Sequence, residues 1–380
     1  MTPCCHCSPR DVLHRPPIRF SSPGVVPSLL TQCQDSERLE ELSDLTVVCG
    51  GAHHLALRNS TSLPADRTCA RVAPTDPDPV WAIEEMPVGR VMGDMVLLPT
   101  GDVLIVNGAA HGTAGGPVTV PVLYRPDAEL GDRFEALAAS AIPRMYHSSA
   151  ALDTYGRVLV GGSNPHVGYV FANTMYPTEL SLEAFLPPYM NPRLDSVRPR
   201  LLAAPPEVGY GEATAVRFAL PVRAGDDGDT AAEGSAALGE VRVAAVAPAF
   251  ATHSFGMNQR VVELGVGRVA RLDIGVYEAE VAAPPTPGIA PPGYYLWFVV
   301  HAGVPSSAAW DDMRQEAPFL LLHSEAQGNA SSMVPSVHVA SKTTHLQARM
   351  EGRAHQTPSP FVVALPLLPT GDHLLLHRGI

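Results

Sequence analysis

The sequence predicts an all-β fold made of many short strands, and three observations support this prediction. Charged residues make up only 17% of the chain, whereas its 380 residues include 38 prolines and 32 glycines. A chain rich in turn formers and modest in charge favours short strands over long helices. A turn–strand–glycine pattern recurs in the first half, and strand-like segments separated by glycine and proline fill much of the second half.

Three similar segments in the first half predict a β-propeller. They are LTVVCGGA (45–52), LLPTGDVLIVNGAA (97–110) and ALDTYGRVLVGGSN (151–164). Gly101 and Gly156 occupy the same turn and lie 55 residues apart, while Gly50 and Gly161 lie 111 residues apart, two such periods. A period of about 50 residues with a turn, an apolar strand and a glycine pair is typical of one four-stranded kelch blade. We therefore predict a partial kelch-type propeller over residues 41–195.

The second half predicts an immunoglobulin-like β-sandwich. Segments such as QRVVELGV and PPGYYLWFVV are typical of strands, and glycine and proline turns separate them at spacings found in such sandwiches. We predict this sandwich over residues 196–313. Residues 1–40 and 314–380 match neither pattern and contain few strand-like segments, so we predict that both are disordered.

Charge, hydropathy and cysteine usage exclude several classes of protein. The net charge of −12 argues against nucleic-acid binding, which requires a basic surface. No run of 18 apolar residues is present, so we expect no membrane-spanning helix. All six cysteines precede residue 70, and because they do not spread along the chain, we expect no disulfide framework. The first residues also lack the apolar segment of a secretion signal.

The internal repeat singles out Tyr146 and His147 as functional candidates. Superposing RVMGD (90–94) on RMYHS (144–148) aligns the two arginines, so the arginine serves the blade scaffold. The tyrosine and histidine fall where the earlier repeat has methionine and glycine. The scaffold therefore does not require these two side chains, and we interpret them as carrying chemistry; the alternative is a surface pair without a function.

A resemblance to a known family rests on several runs. They are PDPVWAIEEMPVGRVMGDMVLLPTGDVLIVNGAAHGTAGG, IPRMYHSSA, GRVLVGGSNPHV, YPTELSLEAFLPPY and APPGYYLWFVV. From about residue 45 to residue 313, the chain resembles the plant glyoxal oxidase group of the galactose-oxidase-like copper radical oxidases. The resemblance implies a kelch propeller that holds one copper ion on its axis, followed by an early set sandwich.

The resemblance also implies a ligand set. Tyr146 matches the axial tyrosine, which acts as the catalytic base, His147 matches the adjacent histidine ligand, and His253 matches the histidine supplied by the sandwich. Phenol oxygens and neutral imidazoles suit Cu²⁺. Because successive side chains of a regular strand point to opposite faces, the backbone at Tyr146–His147 must bend if both are to bind one metal.

Two departures from the family pattern set limits on this expectation. The family carries its radical on a second tyrosine that is thioether-linked to a cysteine, but no tyrosine precedes Tyr124 here and no cysteine has the matching context. We therefore expect the Cys–Tyr radical cofactor to be absent. The repeats account for three blades, whereas propellers close with four to eight, so we expect an N-terminally truncated chain.

The resemblance implies oxidation of aldehydes such as glyoxal and methylglyoxal to carboxylic acids, with O₂ reduced to H₂O₂. It implies a small aldehyde and O₂ as partners, and an extracellular or cell-wall location with contact to carbohydrate. Whether this chain is itself an enzyme stays open. The alternative is a non-catalytic propeller and immunoglobulin-like module that binds carbohydrate or a protein partner.

Overall fold

The computed structural model describes residues 28–32, 44–51, 63–74, 76–112, 115–222, 241–252 and 255–314. Within these ranges the chain forms 24 β-strands and two short 3₁₀ helices, which confirms the predicted all-β class. The segments expected to be disordered, 1–40 and 314–380, lie outside the described residues apart from 28–32 and residue 314. None of the described helices is long and apolar enough to cross a membrane.

The described residues of the first half of the chain form thirteen strands. They are β1 (Ser28–Gln32), β2 (Asp44–Cys49), β3 (Thr68–Val72), β4 (Ala82–Glu85), β5 (Asp94–Leu97), β6 (Val103–Val106), β7 (Ala109–His111), β8 (Gly115–Pro117), β9 (Val122–Tyr124), β10 (Phe134–Ala136), β11 (Ser148–Leu152), β12 (Val158–Gly162) and β13 (Leu182–Phe185). Two 3₁₀ helices follow, at Pro188–Met190 and Pro192–Leu194.

The second half of the described chain contains eleven strands. They are β14 (Arg200–Ala203), β15 (Glu207–Gly209), β16 (Ala213–Ala219), β17 (Val241–Ala247), β18 (Phe250–Thr252), β19 (Phe255–Met257), β20 (Arg260–Asp273), β21 (Val276–Ala282), β22 (Gly293–His301), β23 (Val304–Pro305) and β24 (Ala309–Arg314).

Three antiparallel units form the propeller part, and they follow the repeat seen in the sequence. Their strand orders are β1-β2-β3-β4, β5-β6-β9-β10 and β11-β12-β13, and β1 also pairs in parallel with β20 of the sandwich. The three similar segments supply the second strand of each unit, namely β2, β6 and β12. A glycine with positive φ follows or ends each of these strands: Gly50 at 71°, Gly108 at 96° and Gly162 at 72°. At Gly50 a Cβ atom would lie 2.3 Å from the carbonyl oxygen of Arg90, so close backbone approach also requires glycine there.

One sheet of the sandwich packs one of its faces in the sandwich core and the other face against the propeller blades. One sheet has the order β15-β24-β22-β17-β20, and β14, β16 and β21 form the other, which β20 also joins. Along β22, alternate side chains face opposite cores: Trp297 packs in the sandwich core, whereas Phe298 packs with the blades. Burial on both faces explains why this strand reads as a continuous apolar run rather than an alternating one.

A disulfide joins Cys49 to Cys69, with the two Cα atoms 4.1 Å apart. These cysteines face each other directly on the antiparallel strands β2 and β3. The sequence analysis expected no disulfide framework, and this single bridge departs from that expectation. Cysteine spacing did not reveal it because strand register, rather than distance along the chain, brings two Cβ atoms within bonding reach.

Candidate functional site

Tyr146 and His147 form the centre of a tight turn that begins strand β11. The carbonyl oxygen of Met145 accepts hydrogen bonds from the backbone nitrogen of Ser148, at 3.1 Å, and from its Oγ, at 2.6 Å. His147 has a φ of 62°, in the left-handed region that this third turn position usually fills with glycine. The backbone therefore bends out of strand geometry where the sequence analysis required a bend.

The turn places the two side chains on the same side of the backbone. The rings of Tyr146 and His147 stack with their centroids 3.8 Å apart and their planes 28° apart. Tyr146 is half-buried and His147 is exposed, so the pair borders solvent. A left-handed conformation costs a non-glycine residue about 1–2 kcal/mol. The equivalent turn of the preceding blade also contains a left-handed residue, Met92 at 56°, so this conformation belongs to the blade turn and persists because surrounding contacts enforce it.

Contacts from the end of β12 enforce this turn. The backbone nitrogen of Asn164 donates to the carbonyl oxygen of Tyr146 at 2.7 Å. The backbone nitrogen of Met145 donates to Oγ of Ser163 at 2.9 Å, and Ser163 is buried. The turn is therefore held on both sides of Tyr146 by groups that immediately follow strand β12.

The recurring arginine serves the scaffold, as the repeat predicted. Arg144 donates from Nη1 to the carbonyl oxygen of Gly162 at 2.9 Å and forms a two-nitrogen contact with Oε2 of Glu183 at 2.9–3.0 Å. Arg90 donates from Nη1 to the carbonyl oxygen of Asn107, which is the equivalent position in the preceding blade. Each arginine thus binds the end of the second strand of its blade, which confirms the structural interpretation of these two residues.

A buried carboxyl group, that of Asp94, lies at the start of β5, the first strand of the neighbouring blade. Nδ2 of Asn107 donates to Oδ2 of Asp94 at 2.7 Å. Burial raises the pKa of Asp94 to about 7, although the bond from Asn107 and the charge of Arg90 act in the opposite direction. Burial also lowers the pKa of Arg90 to about 10. Asp94 occupies the repeat position of Ser148, one residue after the doublet.

A small apolar cluster supports the turn from below. It consists of Ala65, Val91, Met92, Ala109 and Met145, which come from four separate segments of the chain. Tyr146 and Tyr176 both pack against this cluster. The phenol ring of Tyr146 is therefore fixed by apolar contacts on one side and by the imidazole of His147 on another.

The third predicted ligand, His253, lies outside the described residues, but the strands on either side of it are described. Strand β18 contacts β11, which begins directly after His147, and β19 contacts β5 of the preceding blade. The sandwich hairpin β18–β19 therefore contacts β11 and β5, the first strands of two adjacent blades.

Gln259 fixes this hairpin to the propeller, and the sequence analysis did not identify that role. Its buried side chain accepts from the backbone nitrogen of Leu97 through Oε1 and donates to the carbonyl oxygen of Met95 through Nε2, both at 2.9 Å. The amide thus pairs with β5 as a neighbouring strand would. In the sequence, Gln259 is a glutamine directly before an apolar strand, and this pattern does not show which strand its side chain will contact.

The described residues contain no group of three or more His, Cys, Asp or Glu side chains that could hold a metal. The candidate metal site therefore rests on Tyr146 and His147, with His253 outside the described residues. A separate cavity of about 200 Å³ lies at the other end of β5, beside Thr100, Asp102 and Tyr189. It is distinct from the doublet, since the β5–β6 turn and the turn at Tyr146 stand at opposite ends of their blades.

Comparison with known proteins gives two family matches. Residues 21–189 match the family described as "Glyoxal oxidase N-terminus". Residues 198–312 match "Galactose oxidase-like, Early set domain". The first match ends close to Tyr189, and the second covers the sandwich strands.

Individual relatives support the same assignment. The chain is 45% identical over 274 residues to "Aldehyde oxidase GLOX" of Vitis pseudoreticulata, which covers 70% of this chain and 49% of that protein. It is 42% identical over 275 residues to "Aldehyde oxidase GLOX1" of Arabidopsis thaliana, covering 70% and 43%. The chain thus spans about half the length of these curated relatives.

A solved structure shares the fold. It is described as a novel fungal alcohol oxidase with catalytic diversity, in complex with copper, and it matches with a TM-score of 0.53 and 18% identity. The match covers 71% of this chain and 52% of the fungal protein. At this identity the likeness extends to the fold alone, and it agrees with a propeller followed by an early set sandwich.

Proposed function

The chain belongs to the glyoxal oxidase family of galactose-oxidase-like proteins, and we propose that it binds one copper ion through Tyr146, His147 and His253 for the oxidation of aldehydes. The observation that carries this proposal is the stacking of Tyr146 on His147 at the turn that begins β11. The repeat comparison supports it, since the equivalent turn of the preceding blade carries neither side chain.

The donor atoms present fit this metal. A phenol oxygen and an imidazole nitrogen are the nitrogen and oxygen ligands that Cu²⁺ accepts in tetragonal sites. The exposed ring of His147 leaves room for solvent or substrate beside the pair. The backbone bond of Met145 holds the turn and the apolar cluster holds the ring of Tyr146, so binding would require little reorganisation.

The position of the sandwich hairpin supports a contribution from His253. Gln259 pairs with Met95 and Leu97, and the four residue steps from Gln259 back to Phe255 span at most about 13 Å. From Met95 to Met92, at the upper end of the same blade, the chain covers about 10 Å. The hairpin is therefore long enough to reach the level of the Tyr146 turn.

The side chains of this site would have different chemical roles in the reaction. Tyr146 would accept the proton of the substrate hydroxyl as a general base. His147 would hold the phenol ring of Tyr146 in place by stacking and would ligate the metal through a ring nitrogen. Copper, when bound, would supply a Lewis acid and one of two one-electron acceptors.

The overall reaction balances without further reactants. An aldehyde hydrate releases two electrons and two protons and becomes a carboxylic acid, and O₂ takes up both and becomes H₂O₂. The second electron acceptor expected for the family is a cross-linked tyrosine, and no tyrosine precedes Tyr124 in this sequence. We therefore propose that copper binding is a property of the described site, whereas turnover depends on that additional acceptor.

An extracellular location fits the disulfide. Disulfides such as Cys49–Cys69 persist in oxidising compartments and are rare in the cytosol. We propose secretion to the cell exterior, where contact with cell-wall carbohydrate would follow.

Copper titration of the full chain tests the proposal. We expect one equivalent of Cu²⁺ to bind with a tetragonal electron paramagnetic resonance spectrum that shows nitrogen coupling. His147→Ala should weaken binding by more than about 100-fold, beyond the 10–100-fold typical of residues that only support a ligand. His111→Ala is the matched control, because it removes another exposed imidazole, on strand β7. Equal losses in both variants would contradict a specific site.

A peroxide assay separates the enzyme from the alternative binding module. Glyoxal and methylglyoxal are supplied to the copper-loaded chain, and H₂O₂ is measured. Peroxide formation that Tyr146→Phe abolishes would establish the oxidase. Copper uptake without peroxide would show that this chain lacks the second electron acceptor and acts as the non-catalytic module, which the open apolar face of the third blade at Leu159, Leu182 and Ala184 also favours.

A further inference from the structure

The connection between β12 and β13 begins beside the candidate site. We call residues 163–179 the rim loop. At its first end, Asn164 donates from its backbone nitrogen to the carbonyl oxygen of Tyr146 at 2.7 Å. At its second end, the backbone nitrogen of Glu179 donates to the carbonyl oxygen of Ser163 at 2.9 Å, so the loop closes on itself beside the turn.

Side-chain hydrogen bonds fix the interior of the rim loop. Buried Thr178 donates from Oγ1 to Oδ1 of Asn164 at 3.0 Å, and Oγ1 of Thr178 accepts from the backbone nitrogen of Val170 at 2.9 Å. Nε2 of His166 donates to the carbonyl oxygen of Tyr176 at 2.7 Å, and Tyr176 packs against the cluster that also supports Tyr146. The loop is therefore ordered by its own bonds rather than by strand pairing.

This ordered loop presents large apolar side chains to solvent. Tyr169 and Phe171 are 70% and 61% exposed, and Val167 and Met175 are more exposed still. The rings of Tyr169 and Phe171 stack on each other with centroids 6.3 Å apart and planes 15° apart. None of these four side chains belongs to an apolar core within the described residues. Apolar groups on a rigid exposed loop mark a binding surface, because the ordering cost is already met before a ligand arrives.

We propose that the rim loop is the substrate-recognition wall of the site and selects aldehydes that carry an aromatic or extended apolar substituent. This inference rests on the proposed function for the reacting group, but the contacts it assigns are those of Tyr169 and Phe171 with the substituent. Aromatic faces bind flat apolar groups by offset stacking, whereas a two-carbon dialdehyde such as glyoxal offers no such group. The aliphatic side chains of Val167 and Met175 favour an apolar ligand over a sugar.

Ligand-observed NMR on the metal-free chain tests this wall independently of turnover. Benzoate and acetate serve as probes, because they differ only in the aromatic substituent. We expect benzoate to bind more tightly, and each ring to contribute about 2- to 12-fold in affinity. Tyr169→Ala combined with Phe171→Ala should abolish the difference and leave acetate unchanged. Tyr155→Ala is the matched control, since Tyr155 is 59% exposed on the turn at the other end of its blade.

The outcomes are distinct from those of the copper titration. The inference is supported if the double variant loses the benzoate preference and Tyr155→Ala keeps it. Phe171→Leu should then retain an intermediate preference. Retention of the preference in the double variant overturns it, as does tighter binding of cellobiose than of benzoate. A copper-loaded chain that oxidises glyoxal and benzaldehyde with equal kcat/KM, before and after the double substitution, would also overturn it while leaving the proposed function intact.

Discussion

Replacing Gln259 by leucine should separate the sandwich hairpin from the propeller. In the native chain this amide satisfies two buried backbone groups of β5, the nitrogen of Leu97 and the carbonyl oxygen of Met95, each at 2.9 Å. Leucine has a similar volume but offers neither donor nor acceptor. Both β5 groups would then remain buried without a partner.

The expected loss follows from those two groups. A buried backbone group left without its hydrogen bond costs about 1–3 kcal/mol, so two cost about 2–6 kcal/mol. The added apolar burial of leucine offsets about 1–2 kcal/mol of this. We expect Gln259→Leu to lower the free energy of unfolding by about 1–4 kcal/mol, which corresponds to roughly 2–16 °C in Tm for a chain of this size.

Gln259→Glu adds a pH signature to the same test. Burial, together with the carbonyl oxygen of Met95, should raise the pKa of the folded glutamic acid above its unfolded value of about 4.3. The stability of this variant should therefore be fully present below about pH 4, where the protonated carboxyl can both donate and accept. It should decrease as the pH rises through the folded pKa.

Chemical denaturation followed by circular dichroism measures both variants, at pH 4 and at pH 8. Arg268→Leu is the control, because it places leucine at an exposed position on β20 and should change stability by less than about 0.5 kcal/mol. If Gln259→Leu unfolds within that same margin, the amide does not bridge the two parts of the molecule. The hairpin would then need another anchor to bring His253 near the doublet.

Three further predictions concern the remaining unusual features. Burial raises the pKa of Asp311 to about 7, and neither of its carboxylate oxygens has a hydrogen-bond partner among the described residues. The stability that protonated Asp311 contributes is present below about pH 4 and is lost as the pH rises through 7. Urea denaturation should therefore show Asp311→Asn to be more stable than the native chain by roughly 3–4 kcal/mol at pH 8 and equally stable at pH 4. At position 147, where φ is 62°, His147→Gly should be more stable than His147→Ala by about 1 kcal/mol, and a more stable alanine variant would refute the strained turn. Replacing Cys49 and Cys69 by alanine opens a cross-link with a sequence separation of 20 and should cost about 3 kcal/mol, whereas dithiothreitol should destabilise the native chain but not this variant.

Local sequence pattern was sufficient for the elements whose partners are close along the chain. The turn, strand and glycine of each repeat predicted β2, β6 and β12, since hairpin pairing and positive-φ glycines depend on neighbouring residues. The repeat also separated Arg144, which binds its own blade, from Tyr146 and His147, which the scaffold does not require. Both inferences used only comparisons within the sequence.

The remaining features depend on residues that are distant along the chain. The Cys49–Cys69 bridge requires the register of two strands, and the left-handed φ of His147 requires Ser163 and Asn164 to hold the turn. No local pattern encodes either, because a histidine rarely adopts that conformation unless other contacts enforce it.

The sequence by itself determined the all-β class, the blade repeat and the identity of the Tyr146–His147 doublet. Only the tertiary structure decided that the two rings stack, that Gln259 binds a strand 162 residues away, and that β22 faces two cores at once. The physical reason is that periodicity and turn chemistry act over a few residues. Packing and buried hydrogen bonds, in contrast, act between whichever groups the folded chain brings together.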